Sequence, residues 1–291
     1  MKIATQTDAL VERFGDKRAV EILCQSGFTG IDYSMFDMYK EGRPLNRNDY
    51  ADHIKKIKET ADSFGVPFVQ SHAPFPSAKK DDAKFNKTAF TYLERAFDVS
   101  HRLGVEIMVV HPICPDNAAM DFDLNYNFYN KLIPYIRQTG VKVALENMWG
   151  RDDSGYIPNT CGTAKDFRQM MDMLDPDLFV ACLDIGHCGM VGQTPQEMIH
   201  ALGHKHLHAL HIHDNDNLRD AHVFPFNGTT DWENVMKALA DIDYDGNLTF
   251  EADNTLKRCP DFFMPTAVKY LFDIGKAFEQ MIKTYRKDTE N

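Results

Sequence analysis

The chain is short of positive charge. Lys and Arg together number 32 against 43 Asp and Glu, a formal net charge of −11. A phosphate backbone is gripped mainly through Lys and Arg, so nucleic acid is not an expected partner. No apolar run approaches the roughly 18 residues of a membrane span. The opening MKIATQTDAL also lacks an apolar core of the signal-peptide kind, so a cytoplasmic protein without a membrane partner is expected. The six cysteines, at 24, 114, 161, 182, 188 and 259, form no CxxC pair, which fits free thiols in a reducing compartment. Missing too is a Gly-rich phosphate loop after the first apolar segment. That argues against an open, doubly wound nucleotide-binding sheet.

What is present is a rhythm of strand, loop and helix taken eight times. The strands read as Lys2–Gln6, Gly30–Ser34, Phe68–His72, Glu106–His111, Val141–Asn147, Phe179–Asp184, one inside Leu207–Asp216, and Asn247–Glu251. The helices read as Asp8–Gly27, Tyr50–Phe64, Phe85–Leu103, Leu124–Gln138, Ala164–Leu174, Pro195–Leu202, Asp231–Ile242 and Pro265–Tyr285. Pro134 predicts a kink in the fourth of these helices. Residues 148–163 and 185–193 read as loops. Eight βα units with short apolar strands point to a parallel sheet covered by helices. Closed at eight strands, such a sheet is just filled by its own side chains. The expectation is an α/β protein, one (β/α)8 TIM-barrel domain spanning 1–291.

The densest chemistry lies in Leu207–Asp216, LHALHIHDND, and its sequel RDAH. Strand alternation sends Leu210 and Ile212 outward under the helices and leaves Ala209, His211 and His213 facing the axis. Asp214, Asp216, Asp220 and His222 follow. The same inner parity ends five other strands in a metal-competent residue: His72, His111, Glu146, Asp184 and Glu251. All six sit at the carboxyl ends of strands, the face on which barrel active sites are built. Six such groups converging without a cation would carry a heavy desolvation cost, so a divalent metal is expected. The tract His200, His204, His206 and His208 precedes the inward face and reads as solvated or helix-facing.

With these residues in place the sequence resembles the xylose-isomerase-like barrel superfamily, over nearly the whole chain and most closely from VALEN to TFEAD. The resemblance is to the sugar (and sugar-phosphate) isomerase and epimerase branch, with the metal-dependent apurinic/apyrimidinic endonucleases as relatives. It implies one metal held by Glu146 in VALEN, Asp184 in CLDIGH, His211 in LHIHDN and Glu251 in LTFEAD. It also implies that Glu146 and Glu251 are the catalytic pair and that His187 of Asp184-x-x-His187 donates to a substrate oxygen. Asp152, Arg219, His72 and Trp149 are further substrate-contact candidates. The run Asp220-x-His222, with Pro225, Gly228 and Asp231–Trp232, matches the family as well. The endonuclease branch adds ligands for a trinuclear zinc cluster, and His72, His111, His187, Asp220 and His222 supply that set here. Against a nuclease, the loop SHAPFPSAKKDDAKFN alternates lysines with aspartates and forms no basic, DNA-inserting segment.

The implied chemistry is proton transfer alpha to a carbonyl, through an enediolate, on a small-molecule sugar. Mn, Mg, Co and Zn all suit the ligand types. Isomerisation and epimerisation fit equally, a homo-oligomer is left open, and the absence of a phosphate cradle favours an unphosphorylated substrate. The alternatives are a trinuclear-zinc endonuclease and a non-enzymatic sugar-binding protein on the same scaffold.

Overall fold

The computed structural model describes residues 1–115 and 120–289. Eight short parallel strands line its centre: β1 (Ile3–Thr5), β2 (Ile31–Ser34), β3 (Phe68–His72), β4 (Ile107–Val109), β5 (Lys142–Glu146), β6 (Phe179–Asp184), β7 (Leu207–His211) and β8 (Leu248–Phe250). β2 to β7 pair in sequence order as one curled sheet, and β8 pairs with β1. Single parallel bridges, Gln6 to Asp32 and Ile212 to Phe250, join the two pieces into a ring. This is the TIM barrel expected from the eight-fold rhythm.

Two apolar compartments follow from strand alternation. The larger lies between barrel and helices and takes Leu210, Ile212, Leu183, Leu145 and Val143. The smaller is the barrel interior, where Val109, Ala144, Val180, Cys182 and Ala209 meet. Inward and outward positions fall as the alternation in LHALHIH predicts. Small residues fill the axis here, so the strand ends above them are left to the polar groups.

Helix boundaries depart from the sequence reading where the backbone dictates it. The span Asp8–Gly27 is two helices, Asp8–Phe14 and Asp16–Gln25, because Gly15 at φ 75° and ψ 161° cannot continue the first. Leu124–Gln138 is likewise two, Phe122–Asn130 and Ile133–Thr139; Pro134 sits in the first turn of the second, where its missing N–H costs nothing. Two segments read as loops hold structure. Residues 148–163 contain an antiparallel hairpin, Trp149–Asp152 with Gly155–Pro158. Residues 185–193 contain the helix Ile185–Met190, capped by the Asp184 carboxylate, which accepts from the His187 N–H at 2.8 Å. No described helix is long and apolar enough to cross a membrane.

Candidate metal centre and active-site mouth

The six inward strand-end residues meet at one mouth. His72 ends β3, Glu146 ends β5, Asp184 ends β6 and His211 ends β7; His111 and Glu251 lie just beyond β4 and β8. All are buried except His111, whose side chain is 13% exposed. His211 Nδ1 lies 3.1 Å from Glu146 Oε1 and 2.9 Å from Glu251 Oε2. His111 Nε2 is 2.8 Å from Glu146 Oε2 and 2.9 Å from His72 Nε2. His72 donates its Nδ1–H to the Ala73 carbonyl, so its Nε2 presents a lone pair to the cluster while the ring is neutral.

A second group adjoins the first. His187 donates from Nδ1 to the Asn147 carbonyl at 2.8 Å and turns Nε2 towards Asp220, 3.4 Å away. Asp220 Oδ1 is 3.0 Å from His222 Nε2, and Oδ2 accepts from the Trp149 indole at 3.2 Å. His213 packs flat on His222, ring centroids 3.9 Å apart, and reaches both oxygens of Asp184 at 2.9 and 3.0 Å. That approach needs Gly186, because a Cβ there would lie 2.1 Å from the His213 ring.

Charge in this cluster is strongly redistributed. Burial works against ionisation of Glu146, yet His211 and His111 hold its carboxyl well below the usual range. Glu251 is held low in the same way by His211 and His222 against the cost of burial, and Asp220 by His187 and His222. The rings respond in kind. Burial opposes charge on His211, but Cys182, Glu251 and Glu146 raise it well above the ordinary imidazole value. Burial is outweighed at His187 by Asp184 and Asp220, and at His222, pushed up to about 10, by Asp220 and Glu251. Only at His111 does burial prevail and lower the value. Protonated rings here carry the positive charge that a bound cation would otherwise supply, and metal binding releases such protons.

The donor geometry fits a cation. Glu146, Asp184, His211 and Glu251 each offer a ligand atom within 4.8 Å of the others. Ligands at about 2.0–2.3 Å from one ion stand at most about 4.6 Å apart, so little adjustment is needed. Two overlapping groups, His187–His213–Asp220–His222 and His72–Glu146–His211, meet the same criterion. Several donor atoms are poorly matched without one. Buried Glu146 Oε2 and Asp220 Oδ1 lie close to imidazoles but complete no aligned hydrogen bond, and His211 Nε2 has no partner.

Above these groups opens a cavity of about 650 Å³. Glu146, His187, Asp220, His222 and Glu251 line it, with Phe36, Phe75, Met148 and Trp149 as walls. The hairpin missing from the sequence reading is what brings Trp149 over Asp220. Asp152, at the far end of that hairpin strand, is exposed and bonds the Ser154 N–H and hydroxyl. Arg219, with its side chain 68% exposed, pairs with Asp216 at 3.5 Å. Neither residue lines the cavity. In both cases a neighbour within three residues satisfies the side chain at the surface. The His200–His208 tract lies at the other end of β7, where His206 is buried against Asp172 and the others meet backbone oxygens or surface acids.

Comparison with known proteins agrees with this geometry. The family model described as xylose isomerase-like TIM barrel matches residues 20–270. The chain belongs to that family. An inosose dehydratase of Clostridium botulinum is 25% identical to this family member over 268 residues, covering 81% of this chain and 82% of that one. Among solved structures, a D-tagatose 3-epimerase-like protein superposes with a TM-score of 0.74 at 20% identity, covering 98% of this chain and 99% of the other. An L-ribulose 3-epimerase gives 0.73 at 17% identity, covering 99% and 97%. At such identities these structures establish the barrel and leave the chemistry to the site.

Sequence reasoning leaves some residues of the site and its mouth without a role. His213, read as facing the axis with His211, is given none, although it falls in a candidate ligand group with His187, Asp220 and His222. Phe36, Phe75, Lys79 and Lys80 carry no such signal, because loop paths bring them to the mouth.

Proposed function

We propose that this protein is a divalent-metal-dependent sugar isomerase or epimerase, moving a proton alpha to a carbonyl through an enediolate. The observation that carries this reading is the convergence of Glu146, Asp184, His211 and Glu251, two of which, Glu146 and Glu251, line an aromatic-walled cavity. The epimerase names of its structural neighbours support it. A divalent cation held by these four residues would polarise a substrate carbonyl and offset negative charge on neighbouring oxygens.

The chain's own residues supply the proton handling. Glu146 and Glu251 approach His211 from β5 and β8, so a substrate above that ring is flanked by two carboxylates. Both are ionised at neutral pH, and either can accept a proton. One removes it and becomes the acid; the other, once it has taken a proton from solvent, delivers it to the opposite face and inverts the centre, whereas return of a proton to the adjacent carbon isomerises. His187 and Asp220 face the cavity, placed to bond substrate hydroxyls. Trp149 fixes Asp220 through its indole and forms a wall, and His72 supports the floor through its contact with His111. Asn147 grips both backbone groups of Asp184, so β5 and β6 present their carboxylates in a fixed relation.

The test is proton exchange. Metal-loaded protein incubated with a panel of ketoses in deuterium oxide should place deuterium at the alpha carbon. Glu251→Gln keeps the size of the side chain and removes the base, so exchange at saturating metal should fall by roughly 10²–10⁴-fold. Near-normal exchange in that variant removes Glu251 from the mechanism. A sugar-binding protein without turnover would bind ketoses and exchange nothing. A trinuclear-zinc endonuclease is favoured by one observation, the two further ligand groups that include His72, His111's neighbour, and His187, Asp220 and His222. The aromatic walls of the cavity favour the sugar.

A further inference from the structure

One stretch of the cavity wall has a different character from the carboxylates. Phe36, Phe75, Pro76 and Ala78 face it from the segments after β2 and β3, and Lys79 and Lys80 close the rim. The lining carboxylates Glu146, Asp220 and Glu251 are all paired with imidazoles. The two ammonium groups are not matched to them. Lys80 Nζ lies 3.6 Å from Asp121, and among the described residues Lys79 makes no ion pair. Its ammonium rests 4.6 Å from the centroid of the Phe85 ring.

The backbone of Lys79 is nevertheless held firmly. The Asn86 side chain accepts from its N–H and donates to its carbonyl, both at 2.8 Å. The Ser77 hydroxyl ties the same loop to the Pro74 carbonyl at 3.0 Å. The root of the lysine is thus fixed at the mouth, and its ammonium, at the end of a flexible four-carbon stem, lies over Phe85. In a chain of net charge −11, this lysine pairs with no acid among the described residues and lines the cavity. A ligand anion would complete it.

We propose that Lys79, assisted by Lys80, binds an oxyanion at the end of the sugar remote from the reacting carbon, so that the substrate is an acidic sugar. This rests on the sugar reading above for the reacting end. The sequence expectation of an unphosphorylated substrate came from the lack of a backbone-amide cradle. Two ammonium groups can hold a carboxylate or a phosphate as point charges instead.

The experiment is calorimetric titration of the manganese-loaded protein with D-fructose, D-fructose 6-phosphate and D-tagaturonate, with deuterium exchange followed on each. At least one anionic probe should bind about tenfold or more tightly than D-fructose, the range of a charge-assisted hydrogen bond. Which probe is preferred separates phosphate from carboxylate. Lys79→Gln should reduce the preference by a similar factor, Lys79→Arg should keep most of it, and added salt should weaken it. Failure of both anionic probes to bind better than D-fructose overturns the proposal. So does a preference that survives intact in Lys79→Gln/Lys80→Gln, which would place the anion on the metal. Binding heat does not depend on turnover. Anion preference without exchange on any probe sinks the enediolate reading alone, and exchange on D-fructose without anion preference sinks this one alone.

Discussion

Gly186→Ala tests whether the metal site and the packing of the fold are one structure. A Cβ at position 186 would stand 2.1 Å from His213 Cε1 and 2.6 Å from Nδ1. The His213 ring is fully buried and stacked on His222, so it cannot yield without leaving the Asp184 carboxylate. Overpacking costs about 1–3 kcal/mol, and a lost hydrogen bond to a charged group about 1.5–3 kcal/mol. Better helix propensity returns up to about 1 kcal/mol. The net expectation is a loss of about 1.5–5 kcal/mol, read as a lower urea midpoint at unchanged slope with chelator present. The decisive control is the same change in a His213→Ala background. With the ring gone the three closest contacts of the added methyl go with it, so the second substitution should cost under about 1 kcal/mol there. An equal cost in both backgrounds, or almost none in the native one, would refute the claimed clash.

Two further outcomes follow from the interior and the mouth. Burial pushes the Asp32 carboxyl up to about 6, with His211 and His72 opposing; it accepts from Gln70 at 2.9 Å while its other oxygen is unpartnered. A native pKa above the unfolded value favours the folded state at low pH, and that advantage is lost as pH rises from about 4 through about 6. Asp32→Asn should therefore gain on the native protein by about 2 kcal/mol between pH 4 and pH 7; a stability difference that is flat across that window removes the buried-acid assignment. Metal content by elemental analysis should be one ion per chain after dialysis at limiting metal, with thermal stability falling on chelation. Three zinc ions per chain, together with salt-sensitive binding of an abasic duplex, would favour the nuclease reading.

How far the sequence reaches is visible in particular residues. Phe68–His72 and Phe179–Asp184 are strands with the boundaries their alternation predicts, because burial on both faces and a following Pro or capping Asp fix both ends. The six inward strand-end groups were legible for the same reason: parity decides direction, and closure of the ring brings every inward end to one mouth. What parity cannot see is anything placed by a loop. Asp152 is a substrate-contact candidate by resemblance alone, and the segment that follows Glu146 folds into a hairpin. Its strand then carries Trp149 to the mouth and Asp152 away from it. Arg219 likewise lies outside the cavity lining, exposed and paired with Asp216. Lys79 reaches the cavity through Asn86, which lies in the next helix and clamps its backbone. The metal-competent groups are thus written on strands and can be read from alternation. The outer walls of the cavity are written on loops, whose paths depend on single side-chain to backbone bonds. The strand ends were therefore readable before the loops, and the lysines at the rim became visible only once those bonds were placed.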